Sequence, residues 1–197
     1  MIKLDRHIDL INKLKSDGKG LMSTEQYMKV GQTIELFSPC NLLIFGLGED
    51  ASVWEEINSD GRTVFLEDDA EWMKRFDASK HEIYEVEYNT KVEQHKEIGF
   101  DKQKLKMNLP EEVENTSWDI IFVDGPLGHN PPRPYNGPGR MQSIYEAYRL
   151  LKQDGICIID DMGRLVERTY ANHFFGKQNM FDLVQDKVGI FKKLINE

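Results

Sequence analysis

Three sets of residues in this chain have the types and spacing to do chemistry. The first is Gly46-Leu47-Gly48, with Glu67 and Asp68 following about 20 residues later. Glycines at a tight turn let backbone approach a ligand, and a helix N-terminus beyond the turn offers free N–H groups. A carboxylate such as Glu67, at the end of the next strand, accepts hydrogen bonds from both hydroxyls of a ribose, and Asp68 stands beside it. The second set lies in VDGPLGHNPPRPYNGPGRM, residues 123–141. Asp124 there suits a general base, a partner for a ligand's amino group, or a metal ligand. His129 can carry a proton, Arg133 and Arg140 match a carboxylate with their planar forks, and Tyr135 joins them as a substrate contact. The third set is Asp160-Asp161 with Arg164. Asp161 suits a base and Arg164 an anchor for an acidic group; alternatively Asp124, Asp160 and Asp161 ligate a divalent cation through oxygen. The plainer alternatives are a solvated loop, with Arg140 in a salt bridge at a helix start and Asp161 as a helix cap.

The residues after the glycine turn bear on which ligand it holds. A dinucleotide fingerprint runs G-x-G-x-x-G, whereas Gly48 is followed by Glu49, Asp50 and Ala51. Acids at a helix N-terminus neutralise its dipole and repel a pyrophosphate. A ligand with a ribose and a cationic centre fits better, and S-adenosylmethionine carries a sulfonium, an ammonium and no phosphate. Ser23 opens the helix that enters the first strand, so it either closes over such a ligand or simply caps the helix.

These residues need elements to position them. The periodicity predicts a docking helix over 2–15 and a second helix from the Ser23/Gln26 capping box to Phe37. Strands are expected at Asn41–Phe45, Thr63–Leu66, Glu82–Tyr88, Trp118–Val123 and Gly155–Ile159. Helical segments are expected between them at 51–58, 69–76 and within 137–151, with short pieces in 91–114. A further helix spans 164–175, and Met180–Gln185 and Gly189–Lys193 form a closing hairpin. The fold class is therefore α/β, with a mostly parallel seven-stranded sheet, one antiparallel edge hairpin and helices on both faces. Gly46, Glu67, Asp124 and Asp160 each follow a strand, so they should converge on one rim. The tryptophans, Trp54, Trp72 and Trp118, are expected in the core.

Composition narrows the partners. The 197 residues suit one domain, with helices over 1–37 and the sheet core over 41–197. A net charge of −9 argues against nucleic acid as a partner and requires local arginines for an anionic substrate. Cys40 and Cys157 lie in or beside apolar runs and read as small buried hydrophobes, not a disulfide framework. No run of 18 apolar residues is present, and MIKLDRHIDLINKLK is amphipathic; the expectation is a cytoplasmic chain without a membrane partner.

Read together, NLLIFGLGEDASVW, GRTVFLEDD, YEVEYNT, WDIIFVDGPLG and PGRMQSIYEA resemble the glucuronoxylan 4-O-methyltransferase family, grouped with irregular-xylem proteins. The resemblance spans roughly 23–167 in the family's order. It implies a Rossmann-like methyltransferase three-layer sandwich that moves a methyl group from S-adenosylmethionine to a sugar hydroxyl. Carried over by motif, Gly46, Gly48 and Glu67 hold the cofactor, and Asp124, Gly139 and Arg140 line the reaction centre. Where the family pattern is similar to His-Asp-x-x-Arg, this chain has Asp160-Asp161-x-x-Arg164. The acceptor stays open among a glycan, a sugar nucleotide and a small metabolite. Two other readings also stay open: a non-catalytic domain binding a glycan or partner, and a nucleotide-dependent oxidoreductase.

Overall fold

The structure is a computed structural model that describes residues 6–127 and 137–194. Helices α1 (Arg6–Ser16) and α2 (Thr24–Phe37) lead into strand β1 (Asn41–Phe45). Then follow α3 (Ala51–Ile57), β2 (Arg62–Glu67), α4 (Ala70–Met73) and β3 (Glu82–Glu85). Short helices α5 (His95–Ile98), α6 (Lys102–Leu105) and α7 (Glu111–Glu114) precede β4 (Trp118–Val123). The chain closes with α8 (Met141–Leu150), β5 (Leu151–Ile159), α9 (Leu165–Ala171), β6 (Met180–Val184) and β7 (Val188–Lys192). The Ser23/Gln26 capping box forms, with Ser23 Oγ accepting from Gln26 N at 3.2 Å and Gln26 Oε1 accepting from Ser23 N at 2.7 Å.

All seven strands form one sheet in the order β3-β2-β1-β4-β5-β7-β6. The first five are parallel, and β7 runs antiparallel against both β5 and β6. The turn between β6 and β7 holds Gln185 and Asp186 at positive φ, the geometry of a tight hairpin. Side chains alternate across the pleat, so Leu43, Phe45, Ile121 and Val123 face one layer and Leu42, Ile44, Ile120 and Phe122 the other. α1, α2 and α3 cover the second face; α8, α9 and the short helices cover the first. Cys40 and Cys157 are free and buried. No helix among the described residues is long and apolar enough to cross a membrane.

Several boundaries differ from the sequence expectation, among them α4, which ends at Met73 where a helix to 76 was expected. β3 ends at Glu85 instead of Tyr88, because Asn89 and Thr90 are claimed by Gln142 of α8: Gln142 Oε1 accepts from Asn89 N and from Thr90 Oγ1, both at 3.1 Å. β5 starts at Leu151 and absorbs the turn expected before Gly155. Trp54 and Trp118 are fully buried as expected, whereas Trp72 is only half-buried and donates to Leu47 O at 2.6 Å.

Candidate functional site

The strand order reverses between β1 and β4, and connections from these two strands leave on opposite sides. That opens a crevice at their C-terminal ends. A pocket of about 910 Å³ lies there, and Gly46, Gly48, Glu67, Asp68, Asp124, Arg140, Asp160, Asp161 and Arg164 all line it. The convergence expected from strand-end positions is therefore met.

One wall is built from backbone. Gly46 has φ 106, a conformation that disfavours any side chain. A Cβ on Gly46 would sit 3.1 Å from Gly125 N, and one on Gly125 would sit 2.7 Å from Gly46 Cα. The two loops after β1 and β4 thus touch backbone to backbone. Glu67 is buried at the end of β2 and gives its oxygens to N–H groups: Leu47 N at 2.8 Å, and Asp68 N and Asp69 N at 3.0 Å each. Its first task is to brace the glycine turn, which spacing alone did not reveal. Asp68 is the freer acid on this wall; loss of solvent around its carboxyl and the neighbouring Glu67 charge push its pKa up to about 6.

The other wall is built from charge. Arg140 is 3% exposed, at the start of α8, and donates from Nη2 to Asp124 O at 2.6 Å and from Nε to Pro126 O at 3.1 Å. Its Nη2 also lies 3.3 Å from Asp124 and 3.0 Å from Asp161, and its Nη1 lies 3.9 Å from Asp160. Asp161 adopts φ 62 and also pairs with Arg164 at 2.9 Å. Asp124 and Asp160 both face the Arg140 guanidinium, near enough that each affects the other's ionisation. Burial raises the pKa of both, with Asp124 well above its ordinary value, while Arg140 opposes the rise.

This geometry corrects several expectations. The three carboxylates suggested as metal ligands, Asp124, Asp160 and Asp161, converge on the Arg140 guanidinium, which supplies the positive charge a cation would bring. Among the described residues no group of three or more His, Cys, Asp or Glu is arranged to hold a metal ion. Arg140 itself, expected to bind substrate, is committed to those carboxylates and positions them. Asp161, expected as a base, lies between two guanidiniums, which leaves Asp124 the better placed acid for proton transfer. Ser23, expected at the cofactor, faces away: it caps α2 and donates to Gln185 Oε1 at 2.8 Å, while Met22 and Gln26 reach the pocket. His129, Arg133 and Tyr135 lie outside the described residues.

Several lining residues were given no role in the site from the sequence, Asp50, Tyr27, Trp72 and Lys187 among them. Asp50, read with Glu49 as an acid that neutralises the dipole of a helix start, is buried and accepts from Tyr27 Oη at 2.9 Å. Trp72 and Lys187 also reach the pocket. The signal for Tyr27 was its place one helical turn after Ser23; none marked Asp50 as buried apart from its neighbour Glu49, which pairs with Arg75 at the surface.

Comparison with known proteins places this geometry. The family model IRX15/IRX15L/GXM matches residues 26–106 and 94–191. Glucuronoxylan 4-O-methyltransferase 1 of Arabidopsis thaliana is 36% identical over 160 residues, covering 70% of this chain and 55% of that protein. Protein IRREGULAR XYLEM 15 is 34% identical over 171 residues, covering 73% and 52%. Arabinogalactan O-methyltransferase 1 is 32% identical over 167 residues, covering 72% and 56%. Both are from Arabidopsis thaliana, and the chain spans about half the length of the curated relatives it matches. Among solved structures, a T. thermophilus 16S rRNA methyltransferase in complex with AdoMet and guanosine has a TM-score of 0.54 at 16% identity, covering 88% of this chain and 44% of that one. A methyltransferase-like protein from Silicibacter pomeroyi has a TM-score of 0.51 at 12% identity, covering 89% of each chain. The solved structures establish the Rossmann-like methyltransferase fold. With its family model matched across both the glycine-turn wall and the charged wall, the chain belongs to the IRX15/IRX15L/GXM family.

Proposed function

We propose that this chain is an S-adenosylmethionine-dependent O-methyltransferase whose acceptor is a sugar or uronic-acid hydroxyl. The observation that carries this reading is the charge of the pocket. Eight carboxylates and four cationic side chains line it among the described residues, around a glycine turn with no room for side chains. Such a lining favours a cationic adenosine cofactor over a phosphorylated one. Gly46, Gly48, Glu67 and Asp68 are the residues that would hold its adenosine end. The named relatives include O-methyltransferases of glucuronoxylan and arabinogalactan, which supports a carbohydrate acceptor.

When bound, the cofactor supplies an electrophilic methyl group. The chain's own part is to position a hydroxyl and take its proton. The Asp124–Asp160 pair is placed for this: burial makes it a stronger base than an ordinary carboxylate once it ionises. Arg140 fixes the pair's position. Arg164 lines the pocket, with Nη2 2.9 Å from Asp161 and Nη1 3.6 Å from Glu167, and its guanidinium is of the type suited to an acidic group on the acceptor.

The test is transfer of labelled methyl from S-adenosylmethionine to a panel of uronic acids, sugar nucleotides, glucuronoxylan and arabinogalactan fragments. Label recovered on a sugar hydroxyl supports the reading. Cofactor binding without transfer to any of them would favour a non-catalytic glycan-binding role.

A further inference from the structure

Asp50 lies outside the proton-transfer pair and the glycine turn, yet it is one of the most enclosed carboxylates in the pocket. It is 6% exposed at the pocket wall, where the chain leaves the glycine turn to enter α3. As the residue before α3 it makes no side-chain capping bond, so helix capping does not explain it. It is held instead from a distant element. Tyr27 on α2 donates to it at 2.9 Å. The loop before α2 is fitted to this arrangement. Gly20, at φ 75, passes so close to Tyr27 that a Cβ would lie 2.3 Å from its hydroxyl oxygen. Lys15 fastens the loop by donating to Gly20 O at 3.2 Å and Met22 O at 2.9 Å. Burying a carboxylate is costly unless a cation or hydrogen bonds compensate it, and the described residues give Asp50 no ion-pair partner.

We propose that Asp50, oriented by Tyr27, is the counter-charge for the α-ammonium at the aminoacyl end of the cofactor, and that the Gly18–Met22 loop is shaped to seal that contact. The inference rests on the proposed S-adenosylmethionine site and assigns it a charge-recognition residue that the glycine turn does not supply. Tyr27 acts through Asp50 and is a positioning residue.

The test is calorimetric affinity of the full chain for three probes: S-adenosylmethionine, S-adenosylhomocysteine, and 5′-methylthioadenosine, which lacks the aminoacyl group. Asp50→Asn should weaken the first two by about tenfold or more, the scale of a lost charged hydrogen bond, and leave 5′-methylthioadenosine unchanged. Equal weakening of all three probes, or of none, would overturn the proposal. Should Asp50→Asn fail to fold, Tyr27→Phe carries the test. A several-fold loss confined to the aminoacyl-bearing probes supports the proposal, and an unchanged preference overturns it. If none of the probes binds the wild-type chain, the cofactor reading itself fails, which is a separate outcome.

Discussion

The two walls of the pocket are made of different materials. At the ends of β1 and β2 the wall is backbone: a glycine at φ 106, a loop-to-loop contact with Gly125, and a Glu67 carboxylate clasped by three N–H groups. At the ends of β4 and β5 the wall is charge: one buried arginine faces three aspartates. The Gly46–Gly125 contact involves no titrating group. A charge network keeps its shape only while its charges balance. The first wall suits a fixed ligand common to many reactions, and the second suits chemistry in which a proton must move.

That contrast can be broken at either wall. The largest effect is expected from Asp124→Asn, which removes the proton acceptor. Methyl transfer at saturating cofactor should fall by about 10²–10⁴-fold with the fold intact, checked by single-turnover assay and circular dichroism. Arg140→Ala should come next, costing about 3–5 kcal/mol in denaturant unfolding because it strands buried carboxylates. Gly46→Ala should cost about 2–3 kcal/mol, from a disfavoured φ and the clash with Gly125, and should weaken cofactor affinity while leaving the Asp124–Asp160 titration in place. Ser23→Ala should cost about 1 kcal/mol through the lost α2 cap, with little change in cofactor affinity, since Ser23 faces away from the pocket.

The gentlest effect separates the walls by pH. Asp124 and Asp160 have raised pKa values in the folded chain, so between the ordinary carboxylate value of 3.8 and those raised values the folded state binds more protons than the unfolded one. Their contribution to stability is full below 3.8 and is lost as pH rises through the folded values. Thermal melts of the ligand-free chain should show this decline with pH, and Asp124→Asn should flatten it. On the Gly46 wall Asp68, raised to about 6, adds a slope of the same sign that Asp124→Asn should leave in place. Turnover should run the opposite way, rising as the pair ionises.

Most of the fold was legible because β1, β2 and β4 are short, nearly continuous apolar runs that end in residues with a job. The rim of Gly46, Glu67, Asp124 and Asp160 followed from strand order alone. Roles were less legible than positions. Glu67 has the right place, but its bonds to Leu47, Asp68 and Asp69 arise from the fold of the loop, which no spacing rule encodes. Arg140 has the type of a substrate anchor, and only its 3% exposure shows that it holds aspartates. Asp50 and Glu49 are neighbours of the same charge in sequence, yet one is buried against Tyr27 and the other pairs with Arg75 at the surface. A difference of one residue in facing is set by helix packing, not by composition.

The most direct measurement is a calorimetric titration of the chain with S-adenosylmethionine and, in parallel, with NAD. Saturable one-to-one binding of S-adenosylmethionine and none of NAD is the expected result. Binding of NAD in its place, or of neither, would contradict the cofactor site built here from the glycine turn and the acid-lined pocket.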